Sequence, residues 1–160
     1  MLYNGRVNAK GVDTREVKGL FYGSYHHQLD DKGRLRIPPK FRELLGEKPM
    51  MMLGFEKCLV VYPRADFEER ISKRFDEADV LDPDMADVKR IIFANTMEVS
   101  EDKQNRVQIL PFFAESCGMS KNLVTIGARD CIEIWDEEVY NEHMKSVDVK
   151  KILSSFRNKQ

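Results

Sequence analysis

Two short segments of the chain share the spacing Asp-x-x-x-Arg, and their arginines are the residues best suited to bind a charged partner. The segments are DDKGR, with Asp30 and Arg34, and DKQNR, with Asp102 and Arg106. A guanidinium beside a rigid turn has little conformational freedom left to lose, and its planar fork matches phosphate oxygens or the O6/N7 edge of guanine. The pattern therefore predicts contact with DNA, with Arg34 as the foremost candidate.

The other residues of the two segments are suited to shaping a turn. Gly33 and Asn105 precede the arginines, and both tolerate the positive φ that a tight hairpin turn requires. Asp30 and Asp102 open the turns, where a carboxylate can accept backbone N–H bonds or pair with the arginine four residues on. We expect these four residues to structure the turns, and for the aspartates the sequence leaves open whether they do more than that.

Basic residues are concentrated around the first turn. The candidates for DNA contact there are Lys32, Arg34, Arg36, Lys40 and Arg42. In the second copy they are only Lys103 and Arg106, and the positions that match the other basic residues hold Gln104, Gln108, Phe112 and Ala114. Although a basic run is often only a solvated face, we expect the first copy to face DNA and the second to be turned largely towards packing.

An internal duplication contains both turns and predicts the elements that position them. An offset of 72 superposes residues 30–46 on 102–118, and an offset of 73 superposes 54–62 on 127–135. Each copy has the pattern of a strand, a tight turn, a second strand stopped by proline, a short helix ending at glycine and a closing strand pair. The sequence therefore predicts two similar units in one chain.

Helical segments are expected between and after the units. Asp82 as cap and Pro83 in the first turn begin a connector helix, and an Asp136 cap begins a final helical stretch towards Phe156. The predicted division is an N-terminal extension expected to be disordered, a first unit, a helical connector, a second unit and a helical tail, at residues 1–20, 21–66, 67–94, 95–140 and 141–160.

Composition limits the class of protein. With 160 residues and 42% apolar residues, the chain can bury one core or two small ones that share a surface. Residues 1–48 hold ten basic and six acidic residues, whereas 49–92 hold seven and ten and 93–160 hold nine and eleven, so an anionic partner should meet the N-terminal part. Neither a membrane span nor a signal peptide is evident, and we expect a cytoplasmic protein.

No metal site, cofactor or catalytic arrangement is expected. Cys58, Cys117 and Cys131 form no CxxC pair and are interpreted as reduced thiols, with Cys58 and Cys131 packing beside buried strands. His26 and His27 are adjacent, so in a strand they point to opposite faces and are poorly placed to chelate one ion. The sequence contains neither a nucleophile elbow nor a phosphate-binding glycine loop, and we expect that the protein is not an enzyme.

The segments YGSYHHQLDDKGRLRIPPKFRELLG, GFEKCLVVYP, IIFANTMEVSEDKQNRVQILP and GARDCIEIWDEEVY resemble the MraZ family of bacterial regulators over about residues 21–145. The resemblance implies a mainly β protein with connecting and C-terminal helices, in which two tandem AbrB-like units intertwine as swapped hairpins into one pseudo-twofold, barrel-like domain. Arg42 matches the basic position that follows the Ile-Pro step in AbrB-like proteins. The second copy departs from the family pattern at Asn105 and at QILPFFAESCG, which lacks that basic residue.

The resemblance also implies a function. Family members bind short direct repeats in the promoter of the division and cell wall gene cluster, usually as repressors, and assemble into rings. We therefore expect a nucleoid-associated regulator whose partners are double-stranded DNA and copies of itself. The alternative is a protein-interaction scaffold or an antitoxin-like module whose hairpins contact protein, and the concentration of basic residues in the first copy favours DNA.

Overall fold

The computed structural model describes residues 19–77 and 81–159, and its elements repeat in the order that the duplication predicts. The predicted N-terminal extension, residues 1–20, lies outside the described residues except for Gly19 and Leu20. The elements of the first unit are β1 (Ser24–Gln28), β2 (Arg34–Leu35), α1 (Pro39–Leu45), β3 (Met50–Leu53) and β4 (Leu59–Tyr62). Those of the second unit are β5 (Thr96–Glu98), β6 (Val107–Gln108), α4 (Pro111–Ser116), β7 (Asn122–Gly127) and β8 (Ile132–Asp136).

The helices outside the two units form the connector and the C-terminal part of the chain. The connector consists of α2 (Arg64–Arg70), a 3-10 turn (Ser72–Phe75) and α3 (Pro83–Phe93), and the chain ends with α5 (Glu137–Ser146) and α6 (Val149–Arg157). As predicted, the Asp82 side chain caps α3, and the Asp136 side chain caps α5. The mixed β and helical character expected from the sequence is confirmed.

The two units share one antiparallel sheet, because the first strand of each unit pairs with a strand of the other. The six strands follow the order β1-β7-β8-β4-β3-β5, and β2 and β6 form a separate two-stranded ladder. Strand β1 pairs with β7 of the second unit, and β5 pairs with β3 of the first. Both sheets therefore join the units through backbone hydrogen bonds.

Equivalent residues of the two units meet in one hydrophobic core. The buried pairs at the repeat offsets are Leu35 and Val107, Ile37 and Ile109, Phe41 and Phe113, Leu45 and Cys117, Met51 and Leu123, Leu59 and Ile132, and Val61 and Ile134. Side chains alternate between the faces of a strand, so their neighbours in β3, β4 and β8 lie on the opposite face of the sheet. There the connector packs around Met52, Phe67 and Ile92, and α5 packs on the buried Trp135.

Two helical segments break where the sequence pattern predicts continuity. The expected final helical stretch is two helices, because Val147 is extended (φ −83°, ψ 119°) and Asp148 caps a new helix. The four-residue spacing of Phe67, Ile71 and Phe75 predicts one continuous helix, but the chain leaves α-helical geometry at Ile71 (φ −111°) and continues as a 3-10 turn. No residue of α6 is buried, and no helix in the described ranges has the length and apolarity needed to cross a membrane.

Candidate nucleic-acid interface

The first turn is closed by Asp30. Its backbone N–H donates to the carbonyl of Arg34 (2.8 Å), and Gly33, at φ +72°, donates back to the carbonyl of Asp30 (3.0 Å). Asp30 Oδ1 accepts the backbone N–H groups of Lys32 and Arg34, both at 2.9 Å. Its second oxygen, Oδ2, accepts Nε of Arg34 at 2.7 Å. One carboxylate thus fixes both the backbone of the turn and the side chain of Arg34, which follows the turn.

The second turn has the same geometry. Asp102 Oδ1 accepts the backbone N–H groups of Gln104 (2.8 Å) and Arg106 (3.0 Å), and Oδ2 accepts Nε of Arg106 at 2.7 Å. Asn105 takes the place of Gly33 at φ +59°. The exposed fractions of the two arginine side chains are 22% and 25%. We expected the second copy to be turned largely towards packing, and within the described residues of one chain its turn is as accessible as the first.

Each aspartate leaves most of its arginine available. The Asp30 and Asp102 carboxylates engage only Nε of the guanidinium, and neither pair of terminal Nη groups has a partner among the described residues. An arginine has five N–H donors, so four remain in each fork for an acceptor such as a phosphate or a guanine edge. The aspartates thus hold the forks without occupying the donors that would contact DNA.

Hydrogen bonds keep both aspartates ionised. The backbone N–H of Arg34 has the largest effect on the pKa of Asp30 and lowers it. Partial desolvation raises this pKa by less, and the Arg34 guanidinium and the Lys32 N–H lower it further, so it lies below its usual value. The pKa of Asp102 is lowered in the same way, by the backbone N–H groups of Arg106 and Gln104 and by the Arg106 guanidinium. Both turns therefore retain their ion pairs at neutral pH.

The register of the β2–β6 ladder places the two arginines on one face. Arg34 lies opposite Gln108, and Leu35 lies opposite Val107. Leu35 and Val107 are buried in the core, so Arg34 and Gln108 point outward. Arg36 and Arg106 adjoin this buried pair just beyond the two-residue strands and are exposed and partly exposed, respectively, so alternation predicts the same outward face for them. We call these four residues, Arg34, Arg36, Arg106 and Gln108, the ladder face.

The arginines of the ladder face are close together. Because paired strands lie about 5 Å apart and each residue rises about 3.3 Å, the Cα atoms of Arg34 and Arg106 are about 8 Å apart. Arg36 is exposed and has no hydrogen-bond or ion-pair partner in the described part of the chain. Lys32 and Lys103 are exposed within the two turns. The fold thus brings five of the seven predicted basic residues to one region.

The remaining two predicted residues have partners inside the protein. The Lys40 ammonium lies 3.4 Å from the centre of the Tyr22 ring, near the end of β1 that is distant from the turn. The Arg42 guanidinium donates through Nε to Glu101 and through Nη2 to Asn105 of the second unit. Their assignment as DNA-contacting residues thus has weaker geometric support than that of the ladder face.

Gln108 and Glu101 belong to the site, although sequence reasoning did not select them. Gln108 Nε2 donates to the carbonyls of Lys32 (2.9 Å) and Gly33 (3.2 Å), so the second unit holds the first turn. The Glu101 carboxylate accepts a hydrogen bond from Nε of Arg42, so a residue of the first unit holds the second turn. Both contacts join residues more than fifty positions apart, and no local pattern in the sequence indicates them.

The cysteines and histidines lie elsewhere in the structure. Cys58, Cys117 and Cys131 are buried, as packing requires, and burial raises the pKa of Cys117 and of Cys131 to about 11. His27 shares a hydrogen bond with Thr125 (2.6 Å), and burial lowers its pKa, with a smaller contribution from His26. Thiols with raised pKa values are poor nucleophiles at neutral pH, in agreement with the packing role predicted for Cys58 and Cys131.

Comparison with known proteins agrees with this geometry. A family model described as "MraZ protein, putative antitoxin-like" matches the chain twice, over residues 20–91 and 92–151. A protein of Dictyoglomus thermophilum named transcriptional regulator MraZ is 37% identical over 142 residues, which cover 88% of this chain and 95% of that protein. Proteins of the same name from Saccharopolyspora erythraea and Mycoplasma mobile are each 38% identical, over 78% and 86% of this chain and 87% and 97% of their own lengths. The chain therefore belongs to the MraZ family.

Proposed function

We propose that the protein is a transcriptional regulator that binds DNA through the ladder face and the two turns beside it. The observation that carries this proposal is the convergence of Arg34, Arg36 and Arg106 on one outward face, with two guanidinium forks fixed by aspartates. Fixed forks lose little entropy when they bind phosphate or guanine. The relatives named transcriptional regulator MraZ support the same assignment.

The fold proposed for this activity is a pair of AbrB-like units that exchange hairpins into one barrel-like domain. The pairing of β1 with β7 and of β5 with β3 supports this interpretation. Lys32 and Lys103 would add phosphate contacts beside the arginines, and Lys40 would contribute more weakly from its position over Tyr22. The proposed activity needs no cofactor and includes no enzymatic step.

The ladder face is asymmetric, which bears on the kind of operator. Arg36 in the first unit corresponds to Gln108 in the second, so the pseudo-twofold relation between the units does not extend to charge. A face with three arginines and one glutamine has a direction along DNA, and it does not require a palindrome. We propose that each chain binds one short element of a promoter, and that the elements are direct repeats.

Self-association is the second part of the proposal. Helix α6 has an apolar stripe formed by Val149, Ile152, Leu153 and Phe156, each of which is more than half exposed. Lys150, Lys151 and Arg157 make the helix basic, whereas the connector, residues 64–93, has nine acidic and six basic residues and exposes Ile91. These features support contact between chains, and in a closed ring each subunit repeats by rotation in one sense, as direct repeats require.

Ring assembly would make weak contacts cumulative. If each subunit contributes one contact set, tethering several in one ring raises the apparent affinity for an array of repeats by about 10²- to 10⁴-fold. One repeat alone should bind poorly. The proposed output is repression of the division and cell wall gene cluster by a nucleoid-associated, cytoplasmic protein.

Footprinting tests the proposal. The probe is the duplex immediately upstream of the gene that encodes this chain, exposed to the intact protein and to the Arg34→Ala, Arg106→Ala and Lys57→Ala variants. Lys57 lies in the β3–β4 loop, outside the ladder face and both turns, and serves as the charge-matched control. We expect regularly spaced protection that Arg34→Ala and Arg106→Ala weaken and Lys57→Ala preserves. A probe left unprotected would instead favour the protein-interaction scaffold or antitoxin-like alternative.

A further inference from the structure

Arg42, in the first unit, makes three side-chain hydrogen bonds to residues of the second unit. Its Nε lies 2.8 Å from Glu101 Oε1 and 2.7 Å from Oε2, and its Nη2 donates to Asn105 Oδ1 at 3.0 Å. The Glu101 side chain is 23% exposed and that of Arg42 is 46% exposed. We call these three residues the clamp. They join helix α1 of the first unit to the turn of the second.

The clamp holds the second turn at both of its ends. Glu101 immediately precedes Asp102 and forms an isolated bridge with Val107, and Asn105 immediately precedes Arg106. Arg42 itself stands on a rigid base, because its neighbour Phe41 is fully buried in the core. A side chain fixed on this helix therefore restrains the backbone from which Arg106 projects.

The first turn has no equivalent of the clamp. At the repeat offset, Arg42, Glu101 and Asn105 correspond to Ala114, Leu29 and Gly33, which cannot form an ion pair. The neutral Gln108 amide holds the first turn instead. The two turns reach the same geometry by different means, and in the described residues it is the second turn that receives a charged side chain from the other unit.

We propose that Arg42 is a positioning residue for the second turn: it presents Arg106 to DNA through Glu101 and Asn105. This inference rests on the proposed DNA-binding function and revises the role that sequence reasoning gives to Arg42. Arg34 and Arg106 give up only Nε to a partner, whereas Arg42 donates Nε to both oxygens of Glu101 and Nη2 to Asn105 inside the protein, so fewer of its donors remain for phosphate. The second unit would then contact DNA with an arginine that the first unit holds in place.

The direction in which two substitutions change the affinity for DNA distinguishes a positioning role of Arg42 from direct phosphate contact. If Arg42 binds phosphate, removing the Glu101 carboxylate releases Arg42 and removes a repulsive charge, so Glu101→Ala should strengthen DNA binding. If Arg42 positions the turn, Glu101→Ala should weaken binding as Arg42→Ala does. Glu43→Ala gives the background effect of removing a carboxylate, because Glu43 adjoins Arg42 on α1 but has no partner among the described residues.

The test measures the affinity of the full-length variants for the labelled upstream duplex at fixed salt. We expect Arg42→Ala and Glu101→Ala each to weaken binding about two- to fivefold, the range for an exposed ion pair. We also expect Arg42→Ala to have no further effect in an Arg106→Ala background, because a positioning residue acts only through the residue that it positions. In an Arg34→Ala background its effect should persist.

A further variant, Asn105→Gly, controls for the possibility that the other substitutions weaken binding by unfolding the protein. Asn105→Gly keeps a residue that tolerates positive φ while removing the amide that receives Arg42, and it should weaken binding about twofold with an unchanged thermal midpoint. Stronger binding by Glu101→Ala than by Glu43→Ala, or additive losses from Arg42→Ala and Arg106→Ala, would overturn the inference and leave the DNA-binding function intact. A wild-type protein that does not bind the duplex would overturn both.

Discussion

Arg34 donates through Nε to Asp30 Oδ2 at 2.7 Å, and the terminal nitrogens of its guanidinium have no partner among the described residues. The same carboxylate also receives two backbone N–H groups of the turn, so one residue sets the backbone and the arginine together. Arg106 stands in the same relationship to Asp102. The Asp-x-x-x-Arg spacing is therefore a structural unit that presents an arginine.

The lowered pKa values of the two aspartates predict a specific acid sensitivity. A carboxylate whose pKa is lower in the folded state contributes stability above its unfolded pKa of about 3.9, and this contribution is lost as the pH falls through the folded value. The Asp30→Asn/Asp102→Asn double variant lacks both contributions. We expect its urea midpoint to fall less than that of the wild type between about pH 5 and pH 2. If the urea midpoint fell equally with pH in the variant and in the wild type, this prediction would be contradicted.

Gly33 is required at the first turn by its φ of +72°. A Cβ at this position would also lie 3.3 Å from Nε2 of Gln108, the amide that holds the turn. We expect Gly33→Ala to lower the free energy of unfolding by about 1–2 kcal/mol, measured by urea denaturation. Gly33→Asn is the matched comparison, because asparagine occupies the equivalent position in the second turn, and it should cost less than alanine. Equal losses of unfolding free energy for Gly33→Ala and Gly33→Asn would show that crowding of Gln108 by the added side chain outweighs the effect of the backbone conformation.

The join between β1 and β7 depends on close approach at Gly127. A Cβ on Gly127 would overlap the backbone of Phe21 and Tyr22, which belong to the other unit. Because backbone atoms cannot move as a flexible side chain can, we expect Gly127→Ala to cost about 2–3 kcal/mol in urea unfolding. Asn122→Ala, at the exposed opposite end of β7, is the control and should have little effect. A Gly127→Ala protein with wild-type stability would contradict the packing of this join.

The sequence alone predicts the local elements well and the contacts between the units poorly. Turn residues, proline positions and alternating apolar residues are local signals, and both Asp-x-x-x-Arg turns lie where these signals place them. The pairing of Arg34 with Gln108 and of Arg42 with Glu101 depends on how the strands of the two units pair, which no local pattern encodes. The accessibility of the second turn is likewise not indicated by the sequence, since a scarcity of basic residues indicates charge and not burial.

The apolar stripe of α6 predicts an effect on assembly. Leu153 and Phe156 are 55% and 62% exposed, so their replacement removes no buried contact within the chain. We expect the Leu153→Ser/Phe156→Ser double variant to have a lower molar mass by light scattering and an unchanged circular dichroism spectrum. Lys151→Ser alters the opposite side of the helix and should retain the wild-type mass. An unchanged mass for the double variant would place the contact between chains elsewhere.

Arg36 predicts how strongly salt affects DNA binding. Because Arg36 is exposed on the ladder face without a partner among the described residues, each of its phosphate contacts should displace counterions. We expect Arg36→Gln, which gives the first unit the residue found at Gln108, to reduce the slope of log affinity against log salt by about 0.9 for each phosphate lost. Lys57→Gln removes the same charge outside the ladder face and the two turns and should leave the slope unchanged. Equal slopes for wild type and Arg36→Gln would exclude Arg36 from the contact surface and confine the charged interface to the two turn arginines and their lysines.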